Sequence, residues 1–441
     1  MLDLALVSRF DRALVGRACK VLLLAGLVGY LLLRGVMPAL TAITDDFPEY
    51  FTSAKSVRDG QDAVKLYDGA WFRNQTRRYE VGPPENPGEF TPYPPPTALL
   101  LTPLTGFKPL TALRIVTALN VVCLICSMFL LSSIFAWRLI DSALFILLSG
   151  WALRSGLRLG HPYILISTFC LLGYYFYRKR MPWLAGLCLG VFVPIKYYPV
   201  MILAAFALHR QWRVVLGGGI AAAAVMLISI GVLGWRVHQI FLFDVFLNHL
   251  TGHLIQGPRF IAVFQSFDTL FERLFILDPV RNPHPWLSAP QAATAATVGT
   301  KGLLVLAAAA ALIKLARGAT ARAIAPTIGI LGVVVLLIAP GSGTYAFVLL
   351  WLPVALLFDH FLSERARVPA YLILSTYVLI GFIPYGHTYR FEGDGALTVL
   401  AYPRLFLLLA MFAVCIYAVA FPRPPGQRAA PRWIQPEMQN V

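Results

Sequence analysis

The chain has 441 residues, of which 58% are hydrophobic and only 13% charged, with a mean hydropathy of +0.70. A soluble domain carries roughly 25% charged residues to wet its surface, so this composition excludes an ordinary soluble enzyme and points to a surface that faces lipid. The net charge of +16 does not indicate a nucleic-acid partner, because the basic residues stand in short clusters between apolar runs, the pattern of loops flanking membrane helices.

Taken in chain order, Arg9, Arg12, Arg17 and Lys20 precede an apolar run from Val21 to Leu40. That run is long enough for about 30 Å of hydrocarbon and has no small-residue cleavage site, so it reads as an uncleaved first helix with its N-terminus in the cytoplasm. Further apolar runs follow at Thr111–Ala136, Leu139–Leu153, His161–Tyr177, Trp183–Ile195, Pro199–Leu208 and Val214–Gly234. After a mixed stretch come Ala295–Leu315, Ile324–Ala339, Thr344–Leu362, Pro369–Pro384 and Leu397–Phe421. The reading is an all-α polytopic membrane protein of about twelve spans, with residues 1–421 forming one domain and the Pro- and Arg-rich tail 422–441 a disordered cytoplasmic extension.

The charge rule fixes the alternation. Arg138, Arg178–Arg180, His209-Arg210 with Arg213, Lys314 to Arg322, Arg365 with Arg367, and the tail from Arg423 all fall on one side, the cytoplasmic one. This holds only if Trp183–Leu208 is split into two short arms that turn at Lys196-Tyr197-Tyr198-Pro199; a single helix there would invert everything after it. Such a turn lies within membrane depth and is tolerated where it lines a protein cavity. The outer side then receives the loop 41–108, residues 154–160, the segment 235–294, residues 340–343 and residues 385–396, so the large polar segments share one face.

The six cysteines sit almost entirely in apolar runs, and the Cys123/Cys126 pair has no polar neighbours to ligate a metal or activate a thiol. His249 and His253 have the spacing of a zinc pair but lack the following Glu, and Gly252 weakens a helix there. Asn74-Gln75-Thr76 matches a glycosylation sequon by chance frequency alone. There is no phosphate-binding glycine loop and no nucleotide domain, which argues against ATP-driven or nucleotide-sugar chemistry on the cytoplasmic side.

The chemistry concentrates in the first outer loop. Asp45, Asp46 and Glu49 stand at the end of the first helix, where carboxylates are costly unless solvated or used. Phe47–Val57 has the spacing of a short amphipathic helix with Phe47, Tyr50, Phe51 and Ala54 on one side; it ends at Gly60, and Leu66-Tyr67 opens another short segment. Phe90 to Pro96 makes a stiff turn. Lys196, alone among apolar residues, either snorkels or points into a cavity, where it suits a phosphate. Arg154 and Arg158 lie on the same outer side.

These pieces resemble the GT-C membrane glycosyltransferases, most closely glycosyltransferase family 87, which includes mycobacterial polyprenol-phosphate-mannose-dependent mannosyltransferases. The resemblance runs through Asp46-Phe47-Pro48-Glu49-Tyr50, Ala54, Gly60, Tyr67-Asp68, Tyr93-Pro94-Pro95 and Pro103-Leu104. It continues with Gly160-His161-Pro162-Tyr163, Leu184-Ala185-Gly186, Gly190, Lys196-Tyr197-Tyr198-Pro199 and Phe264-Gln265-Ser266. His161 and Tyr163 stand where the family has Gln and Asn, Phe264 replaces an Asn, and the late element Pro340 to Tyr345 lacks a histidine; these departures bear on the acceptor more than on the reaction type.

The resemblance implies an inverting transfer of mannose or another hexose or pentose from a polyprenyl-phosphate donor to a glycolipid or glycan acceptor. It places this reaction on the extracytoplasmic face of a bacterial inner membrane, in glycolipid biosynthesis of the cell envelope. Asp46 is the expected base, with Asp45 as fallback. Lys196 is expected at the donor phosphate with Arg158 or Arg154, and Tyr50, Tyr67, Tyr93, His161, Tyr163, Gln265 and Tyr345 as substrate contacts. No cofactor or metal is expected, since the leaving group is a monophosphate ester paired with cations. The rival readings are a transporter or lipid flippase, whose ionisable residues belong at mid-membrane on broken helices, a polysaccharide ligase or polymerase using a pyrophosphate-linked donor, and a non-catalytic scaffold.

Overall fold

The computed structural model describes residues 4–83, 85, 87–250, 260, 262–317, 323–341, 343–383 and 385–421, and the regular structure among them is helical. The longer helices, in chain order, are α1 (Leu4–Leu31), α2 (Phe47–Arg58), α3 (Gly69–Arg78), α4 (Pro109–Phe135), α5 (Leu139–Leu147), α6 (Trp151–Arg158), α7 (Tyr163–Arg178) and α8 (Pro182–Gly190). They continue as α9 (Tyr198–Leu208), α10 (Trp212–Leu233), α11 (Phe267–Phe275), α12 (Pro290–Arg317), α13 (Ile324–Ile338), α14 (Trp351–Ser363), α15 (Arg367–Phe382) and α16 (Pro403–Ala420).

The protein is an all-α, multi-pass membrane protein. Among the described residues, six segments are long and apolar enough to cross a bilayer: Val15–Thr41, Pro109–Phe135, Trp212–Leu233, Pro290–Arg317, Thr344–Ser363 and Pro403–Ala420. Leu139–Leu147 and Trp151–Arg158 form a pair bent by 76°, which makes a seventh if counted as one span. The length criterion therefore does not reach the twelve spans read from hydropathy. The difference lies in apolar runs that fold as helices too short to cross alone, such as Tyr198–Leu208, Ile324–Ile338 and Arg367–Phe382. Leu22 and Leu33 on the first span, Leu227 on α10 and Leu303 on α12 are each about seven-tenths exposed, an arrangement that is stable in lipid and costly in water. Thr344–Ser363 is the central element, with 72% of its apolar window buried against 17–39% for the other five spans, and Trp351 completely enclosed.

Local differences from the sequence reading have simple causes. The first helix starts at Leu4 rather than near Val21, because the Ala, Leu and Arg residues ahead of the apolar run are good helix formers. Residues 154–160, read as a connection, are mostly helix α6, which resumes after the bend at Gly150. The last span begins at Pro403 rather than Leu397, the intervening residues forming short 3-10 turns. His253, the second half of the Lys314–Arg322 connection and the tail from Pro422 lie outside the described residues.

One end of the bundle collects the basic clusters. Lys20 pairs with Asp141, Arg178 Nη1 donates to Ile134 O at 3.3 Å, His209 Nε2 meets Thr327 Oγ1 at 2.9 Å, and Lys314 Nζ donates to Ala420 O at 2.7 Å. At the opposite end Arg114 Nε donates to Leu40 O at 2.8 Å, next to the long first loop.

The chain splits at Lys196 as the charge rule requires. Gly186 faces Val214 and Gly217, and Gly190 faces Gly218, so α8 and α10 run in the same direction. Two consecutive parallel arms demand a return, and α9 supplies it after the turn at 191–197. Tyr198, at the start of α9, donates to Leu349 O at 2.9 Å in the central span, which places the turn inside the bundle.

The close approach of α8 and α10 depends on glycine. A Cβ at Gly190 would fall 2.0 Å from Gly218 O, so Gly190→Ala forces the helices apart at the order of 1–3 kcal/mol. The expected outcome is a lower melting temperature in detergent; an unchanged one would refute the close contact.

Candidate active site

The helix α2 is positioned by its own pattern. Phe47, Tyr50, Phe51 and Ala54 are buried at 2% exposure or less, the i, i+3, i+4, i+7 spacing of an amphipathic helix. Pro48 fits the first turn, where no N–H donor is needed, and Asp46 directly precedes that turn, its carbonyl accepting the Glu49 N–H at 3.2 Å. Phe47 packs on Gly160, where φ is +65° and an added Cβ would meet Phe47 Cδ2 at 2.9 Å and Leu113 Cδ1 at 3.0 Å. Only glycine satisfies both the left-handed backbone and the contact, and this corner sets His161 beside α2.

His161 is fully enclosed. Its Nε2 lies 2.6 Å from Asp46 Oδ2 and its Nδ1 lies 3.0 Å from the Tyr50 hydroxyl. One ring proton completes both bonds: Nε2–H donates to the carboxylate and Nδ1 accepts from the Tyr50 O–H. The corner lies ahead of α7, and burial lowers the imidazole below its ordinary range, opposed by the charge and hydrogen bond of Asp46. Behind the ring, Tyr345 stacks at 3.7 Å between centroids, and Tyr345 stacks in turn on Tyr163 at 5.3 Å. Asn120 Nδ2, from α4, donates to His161 O at 3.4 Å.

The Phe90–Tyr93 turn closes a second wall, Tyr93 N–H donating to Phe90 O at 2.8 Å. Tyr93 packs on Tyr50 at 5.0 Å, and its carbonyl accepts from the Tyr67 hydroxyl at 2.7 Å. Lys196 completes the ring of residues. Its ammonium sits 4.3 Å from the Tyr93 ring centre and 5.3 Å from that of Tyr163, and among the described residues no carboxylate or hydrogen-bond acceptor is paired with it. A half-buried ammonium with three donors, seated on aromatic faces and in no close ion pair among the described residues, is arranged to receive an anion.

Seven of the sequence candidates thus come together: Asp46, Tyr50, Tyr93, His161, Tyr163, Tyr345 and Lys196. Tyr67 stands behind Tyr93 and holds its backbone. Four others do not join. Asp45 is exposed. Arg154 donates to Arg34 O at 3.2 Å and stacks over the Trp151 ring at 4.5 Å. Arg158 gives its carbonyl to Thr44 Oγ1 at 3.4 Å, and no bond joins its guanidinium to the cluster among the described residues. Gln265 is buried with its amide committed to backbone, donating to Ala262 O and Ala401 O and accepting from Arg404 N–H.

Glu49 belongs to the cluster and was passed over as a candidate. It follows Asp46 by three residues, about one turn of helix, and so lies close to it. Burial raises its carboxyl well above the ordinary carboxylate range, with Asp46 adding to the effect and the Tyr93 hydroxyl, the Glu89 N–H and Lys196 opposing it. Asn120, a lone amide in an apolar helix, carried a comparable signal. Among the described residues no three His, Cys, Asp or Glu side chains are grouped to hold a metal.

The Tyr50–His161 bond fixes the imidazole tautomer. Tyr50→Phe leaves a buried Nδ1 acceptor without its donor, a loss of about 1–3 kcal/mol, and the expected result is a lower melting temperature in detergent. Stability equal to wild type would show that Nδ1 does not depend on this hydroxyl.

Residues 90–340, more than half of the chain, match the family model of glycosyltransferase family 87. No curated protein and no solved structure matches the chain. The matched stretch contains Tyr93, His161, Tyr163 and Lys196, while Asp46, Glu49 and Tyr50 precede it and Tyr345 follows it by a few residues. A match over more than half of its length shows the family, and the chain belongs to glycosyltransferase family 87.

Proposed function

We propose that this membrane glycosyltransferase moves a sugar from a polyprenyl-phosphate donor to a hydroxyl of a glycolipid or glycan acceptor, with inversion at the anomeric carbon. The observation that carries the reading is the pairing, around one pocket, of a carboxylate held by a histidine and an ammonium held between two aromatic rings with no anion of its own.

Asp46 acts as the general base. Its Oδ2 is engaged by His161, its other oxygen makes no hydrogen bond among the described residues, and the side chain is 24% exposed, so an acceptor hydroxyl can reach it. As the acceptor oxygen attacks the anomeric carbon, Asp46 takes the hydroxyl proton, and the bond from that carbon to the phosphate oxygen breaks. The electron pair leaves on the phosphate, producing a polyprenyl phosphate. Lys196 faces that growing charge from a site with little water, where one cation counts for much more than in bulk solvent. Tyr93 and Tyr163 present ring faces on which the apolar face of a sugar stacks.

The donor's tail occupies a groove between helices, which explains so hydrophobic a catalyst for a polar reaction. The basic end of the bundle is the cytoplasmic side of a bacterial inner membrane, with both termini there, and the pocket faces the exterior. The arrangement is a GT-C-like bundle in which the short apolar helices complete about twelve crossings. The reaction needs no metal, because one ammonium matches one phosphodiester charge. A pyrophosphate-linked donor would bring more negative charge than that single ammonium offsets.

A panel of labelled polyprenyl-phosphate sugars, incubated with membranes holding the protein and followed by product analysis, tests the reading. Asp46→Asn is expected to cut transfer by roughly 10²- to 10⁴-fold, the usual weight of a positioned base, with folding and donor binding kept. Lys196→Ala is expected to weaken donor use chiefly. Full activity of Asp46→Asn would move the base elsewhere, and unchanged donor kinetics in Lys196→Ala would remove its phosphate role.

A further inference from the structure

Glu49 enters the pocket from the same face of α2 as Asp46. Its carboxyl lies beside the Tyr93 hydroxyl and the Glu89 N–H and feels the charges of Asp46 and Lys196. The loop is closed tightly over it: a Cβ at Gly88 would fall 2.8 Å from Glu49 Cγ and 3.1 Å from its Oε1. The neighbouring Glu89 side chain is turned away, paired with Arg73. The side chain of Glu49 is therefore held in the pocket.

The charges around the phosphate position do not balance if every group is ionised. The groups facing Glu49 are Asp46 just ahead of its helix and Tyr50 on it, Tyr93 and the Glu89 N–H from the loop, Lys196 from the turn, and Tyr345 from the start of the central span, with His161 beyond Asp46. Lys196 is the one ammonium among them, against two carboxylates. A phosphodiester adds a further negative charge.

On the donor reading proposed above, we infer that Glu49 is the proton-binding residue of the phosphate pocket: the phosphodiester enters together with one proton, which resides on Glu49 while the donor is bound. Asp46 stays ionised as base, Lys196 stays charged toward the phosphate, and the neutral Glu49 carboxyl donates a hydrogen bond where an anion would repel the ligand. The raised range of the Glu49 carboxyl in the empty site agrees with this, since a group already reluctant to ionise takes up a proton readily when a second anion arrives.

The sign follows from linkage. Bound phosphodiester raises the Glu49 pKa further, so between its empty-site and loaded-site values the empty protein is deprotonated and the loaded one protonated. Over that window affinity falls by up to about tenfold per unit rise in pH, and below it affinity is flat.

The experiment uses the full chain in detergent or nanodiscs and a short-chain isoprenyl-phosphoryl mannose, a diester that does not itself titrate near neutrality. Calorimetry in buffers of different ionisation enthalpy is expected to show uptake of about one proton on binding, with affinity weakening as pH rises. In Glu49→Gln, nearly isosteric, binding is expected to be tight, independent of pH and free of proton uptake. His161→Gln, Asp46→Asn and Lys196→Arg, whose guanidinium stays charged, are expected to keep the uptake, and with the wild type they decide the matter even if Glu49→Gln does not fold. Wild-type binding without proton uptake, uptake retained in Glu49→Gln, or uptake lost in His161→Gln, Asp46→Asn or Lys196→Arg would overturn the role of Glu49 while leaving the donor reading intact. Failure of the wild type to bind the probe at any pH would sink the donor reading, and this inference with it.

Discussion

The hydrogen bond between Asp46 and His161 joins the two halves on which the site is built. Asp46 begins a short helix in a polar loop outside the membrane helices, and His161 stands at a corner leading into α7. Without that bond the loop carrying α2 and α3 would be tied to this corner through the Tyr50 hydroxyl, Thr44 and apolar contacts, none of which holds the Asp46 carboxylate. With it, and with Phe47 pressed on Gly160, the carboxylate is held by a ring that is itself held by Tyr50, Tyr345 and Asn120. A charged group at a membrane boundary is expensive unless its position is used, and here every partner of His161 serves to direct one carboxylate.

The cation opposite is held in a contrasting manner. Lys196 has no anion paired with it among the described residues and is steadied by the faces of Tyr93 and Tyr163. Ring faces attract an ammonium without neutralising it, so its charge remains available. A carboxylate in direct contact would close the ion pair, whereas Asp46 and Glu49 act on this ammonium only through their charge. Tyr93 has a part in both walls, touching Tyr50 on the Asp46 side and Lys196 on the other, and its backbone is fixed from behind by Tyr67.

Much of this was legible in the sequence because the forces involved leave local patterns. The amphipathic spacing from Phe47 onward gave α2 to within a residue, and the singularity of Lys196 in an apolar run marked it as a residue with a task. What was not legible depended on which way a side chain turns. Gln265 and Arg154 have suitable chemistry, but one spends its amide on three backbone groups and the other lies over Trp151. Glu49 went unchosen because helical spacing sets it as near to Asp45 as to Asp46 and does not say which acids turn inward, and Asn120 had no partner nearby in sequence. The count of spans was least legible, since hydropathy measures apolar length and cannot tell a full crossing from a short helix packed inside the bundle.

The split of Trp183–Leu208 connects topology to chemistry. The charge rule asked for a turn at Lys196 to keep the basic clusters on one side, and the parallel packing of α8 on α10 through Gly186, Gly190, Gly217 and Gly218 requires that return independently. A continuous helix would have left Lys196 as one more residue along a rod, with its backbone groups satisfied and its side chain directed by helical phase alone. The turn instead opens irregular backbone inside the bundle, which is stable only where protein or a cavity surrounds it, and Tyr198 bonding Leu349 on the central span supplies that support. The glycines that let α8 and α10 touch are thus part of what carries the ammonium to the pocket, some distance along the chain from any residue that meets a ligand.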